Sequence, residues 1–161
     1  MPRPIPTSTS AAAPGPRRTA PQRPLAAYLW ASPCTVIGMA LGVIALLCGA
    51  RWQRHDGVLE VARPVAGPAK PPMLPFVAIT LGHVVLGRNA SELDRLRAHE
   101  HAHVAQYERW GPLFLLAYPL ASLLALLRSG RPYYDNCFEV EARATARRPA
   151  GEPPGGRLTP E

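Results

Sequence analysis

The longest apolar pattern runs from Pro24 to Ala50, where Arg23 is the last charged residue before it and Arg51 the first after it. Val36 to Leu47 is nearly all aliphatic, with Gly38 and Gly42 interspersed. A helix of this length can cross a hydrocarbon core of roughly 30 Å, so residues 25–50 are expected to form an uncleaved membrane anchor. A signal peptide is the rival reading, since Arg17, Arg18 and Arg23 precede the run. Against it, the run is long and ends in Cys48-Gly49-Ala50-Arg51-Trp52 without a small-x-small cleavage site. Arg51, Arg54 and Arg63 on the far side balance the arginines on the near side, so the positive-inside rule selects no orientation.

Beyond the anchor the period changes. Residues 57–62, Gly-Val-Leu-Glu-Val-Ala, alternate as a strand does, and Phe76 to Leu86 reads as two short strands bent near Gly82. Pro64, Pro68, Pro71, Pro72 and Pro75 separate them with a linker that can be neither helix nor central strand. A small antiparallel sheet is expected. Ser91-Glu92-Leu93-Asp94 then opens a helix, with Ser91 as N-cap and acidic residues in its first turn, running to about Trp110 before Gly111-Pro112. Leu113 to Leu127 is free of charge and contains Pro119, which predicts a kinked apolar helix, membrane-dipping or buried, with a second crossing as the alternative. A last helix is expected from Asn136 to before Pro149. The fold class is therefore α+β: a disordered tail over 1–24, the anchor over 25–50, a domain over 51–147 and a second tail over 148–161.

Composition supports the two tails, because their Pro, Ala, Ser, Gly and Arg bury too little to offset ordering entropy. The net charge of +7 is almost all arginine, much of it in the tails and beside the apolar stretches, which suits anionic lipid. No aromatic residues interleave with the basic tail as a stacking surface would require, so no nucleic-acid partner is expected. Cys34, Cys48 and Cys137 form no CxxC pair and point to neither a disulfide framework nor a cysteine metal site.

One constellation carries chemistry. On a helix, residues four apart sit about 40° apart around the axis, so the imidazoles of His99 and His103 can meet one metal ion. Glu100 lies on the adjacent flank, where it can take a proton from a metal-bound water, while His101 points away. A tetrahedral catalytic Zn²⁺ needs a third protein ligand and leaves the fourth position to water. The downstream candidates are Glu139 and Glu141. His83 and His55 are weaker, since a lone histidine in a strand is more often structural. Glu139 has a second reading as the N3 residue of a capping box closed on Asn136.

His99-Glu-x-x-His103 followed by Glu139-x-x-Ala142 resembles the gluzincin arrangement, including membrane-embedded zinc peptidases whose third ligand lies in an E-x-x-A-D motif. The resemblance implies Glu139 as third ligand, with Glu141 second, and Zn²⁺-assisted hydrolysis of peptide bonds with Glu100 as base. Over roughly residues 30–147 the chain also resembles bacterial membrane-associated proteins that carry the run His101-Ala-His-Val-Ala-Gln-Tyr-Glu-Arg-Trp-Gly-Pro-Leu-Phe, which implies a bacterial inner-membrane setting. Arg143 departs from the motif, standing where an aspartate usually orients a zinc-ligating histidine, so that hydrogen bond must come from elsewhere. The expected partners are membrane lipid and a peptide substrate, the latter added as a strand to residues 76–86, with His83 or Tyr107 as oxyanion donors. Two rivals stand beside this reading. One is a non-catalytic metal-binding membrane protein whose fourth position is closed by His101 or Glu141, and the other is a metal-free membrane adaptor.

Overall fold

A computed structural model describes residues 23–64 and 76–148; residues 1–22, 65–75 and 149–161, which hold most of the expected tails and linker, lie outside it. The chain forms α1 (Leu25–Leu47), β1 (Arg51–His55), β2 (Val58–Arg63), β3 (Ala78–Leu81), β4 (Val84–Asn89), α2 (Ala90–Trp110), a 3-10 turn (Gly111–Leu113), α3 (Phe114–Leu127) and α4 (Cys137–Ala146). The class is α+β, as the periodicities predict.

The sheet differs from expectation. Its order is β1-β2-β4-β3, and β2 pairs with β4 in parallel, so it is mixed and not antiparallel. Strand β4 lies in the centre, between β2 and β3, and β3 lies at the edge of the described sheet. Strand β1 was not foreseen, because Arg51-Trp-Gln-Arg-His55 shows no apolar alternation. It forms because Asp56 and Gly57, with φ of 47° and 80°, make the two-residue turn that folds it onto β2.

Both faces of the sheet are covered. Val61, Val84 and Leu86 pack on Ala45 of α1, whereas Val58, Ala62 and Val85 pack on Leu93 and Val104 of α2. That explains why Val84 to Gly87 is buried without a break, as strands covered on both sides are. Helix α1 makes its contact through Ala31, Cys34, Gly38, Gly42 and Ala45, a row of small residues at helical spacing. A Cβ on Gly38 would stand 2.8 Å from Val84 Cβ and 2.9 Å from the Leu81 carbonyl oxygen.

Helix α2 starts two residues earlier than expected. Asn89, not Ser91, is the N-cap: its side chain accepts from the Glu92 amide at 2.9 Å and donates to the Glu92 carboxylate at 2.8 Å. The pair Asn89…Glu92 satisfies two polar groups reciprocally, which Ser91 cannot do from inside the first turn. At the other end Gly111 adopts φ 57°, with the ring of Trp30 2.4 Å from where a Cβ would lie. Only glycine fits there.

The two glycines of α1 separate packing from propensity. Gly38→Ala should destabilise the protein by roughly 1–3 kcal/mol through overpacking against the sheet. Gly42→Ala, whose Cβ meets Val61 at an ordinary 3.6 Å, should be neutral or stabilising by up to about 1 kcal/mol. Thermal unfolding of the two purified variants checks the contrast.

Candidate metal centre

Helix α2 presents His99, Glu100 and His103 to one side, and α4 brings Glu139 against them. His99 Nε2 and His103 Nε2 are 3.1 Å apart, His103 Nε2 is 3.2 Å from Glu139 Oε1, and His99 Nε2 is 3.3 Å from Glu139 Oε2. Zinc held tetrahedrally at 2.0–2.2 Å separates its ligand atoms by about 3.3 Å, so these three side chains match the edges of one coordination shell. The donor set, two imidazoles and one carboxylate, suits a metal ion, and among the described residues these are the three that could hold one. The cluster shows where a metal would sit; it does not name the metal.

Glu139 is 2 % exposed and its carboxylate is turned to the histidines, so it does not close the capping box considered from sequence. Asn136 caps α4 alone, accepting from the Phe138 amide at 2.9 Å. Its amide also donates to the Tyr118 carbonyl and to Ser122 Oγ, which ties the start of α4 to α3 and aims Glu139. Tyr118 donates its hydroxyl to Glu139 Oε1 at 2.8 Å. Burial alone would raise the Glu139 carboxyl, but hydrogen bonds from His103, His99 and Tyr118 hold it well below the usual carboxylate range. Burial likewise works against a proton on His103, yet Glu139 and Gln106 outweigh it and the imidazole is raised above its ordinary value.

The partner that Arg143 cannot supply comes from Gln106, one turn beyond His103. Its amide nitrogen donates to the Phe138 carbonyl at 3.0 Å and to Glu141 at 2.9 Å, so its oxygen is the atom that faces His103 Nδ1 at 2.8 Å. In the neutral imidazole the proton is therefore held on Nδ1, and the Nε2 lone pair points into the cluster. Glu141, paired with Arg109 at 2.8 Å, steadies Gln106 and does not reach the histidines. Sequence reasoning passed over Gln106, although its position three residues after a candidate ligand on one helix face is the available signal.

Glu100 is 6 % exposed and accepts from Thr80 Oγ1 of β3 at 2.7 Å through Oε2. It shares a cavity of about 350 Å³ with His99, His103 and Glu139, walled by β3 on one side and by Phe114, Tyr118 and Tyr133 on the other. Tyr107 lines this cavity, but His83 does not. His83 stacks on Tyr28 at 4.2 Å and bonds Glu108 at 3.0 Å, a packing role that removes it as an oxyanion donor. His101 is also placed elsewhere, 3.2 Å from Glu60, and so cannot close the fourth position.

Glu60, the one acidic residue of β2, is fully buried beneath the opposite flank of α2, where Arg97 binds both its oxygens at 2.8 and 3.0 Å and Gln53 donates at 2.8 Å. Burial opposes its charge, but His101, Arg97 and Gln53 together lower its carboxyl from 4.5 to about 2.

No family model, no curated protein and no solved structure matches this chain.

The depressed carboxyl of Glu60 makes a signed prediction. Its pairing stabilises the fold above pH 4.5 and is lost as pH falls toward 2, because the unfolded chain takes up the proton first. Glu60→Gln should cost roughly 2–3 kcal/mol at neutral pH, since it removes the buried anion that Arg97 grips through two nitrogens and leaves Arg97 only the exposed Asp94. It should also flatten the acid slope in denaturant unfolding measured across that window.

Proposed function

We propose that this protein is a small zinc-dependent hydrolase of peptide bonds that works at a membrane, with the bacterial inner membrane as the setting its sequence resemblance implies. The observation that carries the reading is the convergence of His99, His103 and Glu139 at coordination distances, with Glu100 in the same cavity. The arrangement is similar to that of gluzincins.

In this reading Zn²⁺, when bound, supplies a Lewis acid and lowers the pKa of its water. His99 and His103 would hold it through Nε2, with Gln106 keeping His103 in the tautomer that can do so, and Glu139 would contribute the negative charge, with Tyr118 fixing its rotamer. Glu100, pinned by Thr80 in the same cavity as the histidines, would take the proton of a water held there. Among the described residues β3 pairs with β4 alone, which offers its other edge to an extended peptide beside Glu100. Apolar walls from Phe114, Leu115 and Ile79 favour an apolar side chain near the scissile bond. Tyr133, whose phenol is pushed up to about 12 chiefly by burial, stays protonated and faces the cavity as a hydrogen-bond donor.

Elemental analysis should find one zinc per chain, lost in His99→Ala and His103→Ala. Glu100→Gln should retain zinc and abolish hydrolysis of peptides, and Glu139→Gln should lose metal where Glu141→Gln keeps it. A metal-free wild-type protein refutes the reading, and metal without hydrolysis against a peptide library reduces it to a metal scaffold.

Gln106→Leu gives a separate prediction. It removes the acceptor for His103 Nδ1–H without touching a ligand, so zinc affinity should fall by about 10- to 100-fold. Competition with a chromophoric chelator measures it.

A further inference from the structure

Leu25–Leu47 and the α2–α3 run Ala90–Leu127 are each long and apolar enough, by length and composition, to cross a membrane. The packing of α1 says how it meets one. Its C-terminal third lies on the sheet through Ala45 and through Gly42, which faces Val61 and Leu86. Its middle lies on Leu81 and Val84 through Gly38. Toward its N-terminus Thr35 Oγ1 accepts from the His83 amide at 3.1 Å, and Tyr28 donates to the Gly57 carbonyl at 3.4 Å. Just before the helix, Arg23 donates to the Asp56 carbonyl and pairs with Glu108. The β1–β2 hairpin thus returns to the start of the helix whose end it follows, while Ala31 and Cys34 pack on Tyr107 and Phe114 and Trp30 lies on Gly111, so α1 is engaged along its length by the sheet together with α2 and the start of α3.

A helix packed this way cannot cross a bilayer alone. The sheet would cross with it, carrying the edges of β1 and β3 that no other described strand pairs, the exposed Arg51 and Arg54, and the buried Glu60–Arg97 pair into hydrocarbon. Backbone groups on an open edge find no partner there, and each costs several kcal/mol. Helix α3 is no better suited. Even with the apolar turn Gly111–Leu113 that leads into it, the uncharged part of the run extends only about 25 Å, short of a roughly 30 Å core, and α4 packs polar Asn136 against its middle.

Both helices nonetheless keep an uncharged apolar outer face. On α1 it includes Leu25 at 73 % exposure, Leu29 and Val36; on α3 it includes Leu116 at 72 %, Leu120 and Leu127. We propose that the protein is monotopic: α1 and α3 lie in the interface of one leaflet as a lipid-docking surface, and neither spans. The occupant is an anionic bilayer surface. Arg51 and Arg128 stand at the ends of the two helices, Trp30, Trp52 and Trp110 are partly exposed, and the net charge is +7. The inference rests on the membrane setting proposed above and not on the metal.

The test is sidedness. In a cysteine-free background (Cys34→Ala, Cys48→Ser, Cys137→Ser) of the full chain, a single cysteine is placed before α1 by Thr19→Cys or after it by Arg51→Cys. Right-side-out and inverted membrane vesicles from expressing cells are treated with a membrane-impermeant maleimide. A monotopic protein labels at both positions in the same vesicle preparation and at neither in the other. Labelling of the two positions in opposite preparations means that α1 spans and overturns the proposal. Recovery of the chain in the soluble fraction, as a monomer or as a dimer closed through these faces, overturns it together with the membrane setting. Zinc content of the same samples reports on the metal centre independently. Should the Cys34→Ala background fold poorly, purified wild-type chain added to preformed vesicles containing phosphatidylglycerol provides the second measurement. Flotation with those vesicles supports surface docking, and its absence overturns it.

Discussion

The close approach of α1 to the sheet at Gly38, where not even a methyl group fits against Val84 and Leu81, governs the arrangement of the molecule. It allows a long apolar helix to cover one sheet face while α2 covers the other. With both faces closed, the two polar side chains that β2 and β3 bury, Glu60 and Thr80, each take a partner on the covering helix α2. Glu60 finds Arg97 and His101, and Thr80 finds Glu100. The sheet therefore grips α2 through Arg97 and His101 and again through Glu100, all within a turn of the His99–His103 pair.

The second half of the site is built by a different means. Helix α4 reaches α2 through an aromatic cluster in which Phe138 packs edge-on against Phe114 at 5.0 Å and Trp110 at 5.7 Å, and stacks on Tyr118 at 6.4 Å. Such contacts add a little to area burial and fix orientation through ring geometry. Asn136 then sets where α4 begins. Because Phe138 and Glu139 are adjacent, seating the ring on α3 turns the carboxylate toward the histidines. The hydrogen bond from Gln106 to the Phe138 carbonyl locks the same arrangement from the α2 side.

The two polar centres flanking α2 differ in consequence. Glu60 is saturated by Arg97, Gln53 and His101, as befits a group that holds helix to sheet. Glu139 is held by groups that leave one side open to a cavity of about 350 Å³. A buried carboxylate shared between two imidazoles, with their lone pairs steered inward, is arranged to receive a cation.

Local sequence was enough to reveal α2, α3, α4, the β3–β4 hairpin and the i, i+4 histidine pair, since each depends on periodicity, capping or turn chemistry within a few residues. It also held two signals that local reading passed over, Asp56-Gly57 for the first hairpin and Asn89…Glu92 for the start of α2. Tertiary structure alone decided the rest. The parallel pairing of β2 with β4 depends on where a long connection returns, and the choice between Glu139 and Glu141 depends on the angle at which Phe138 seats α4. Whether the Leu25–Leu47 helix stands alone or lies on a sheet depends on small residues whose meaning appears only when Val84 and Leu81 are opposite them. These are contacts between residues far apart in the chain, and no window of neighbouring residues contains both partners.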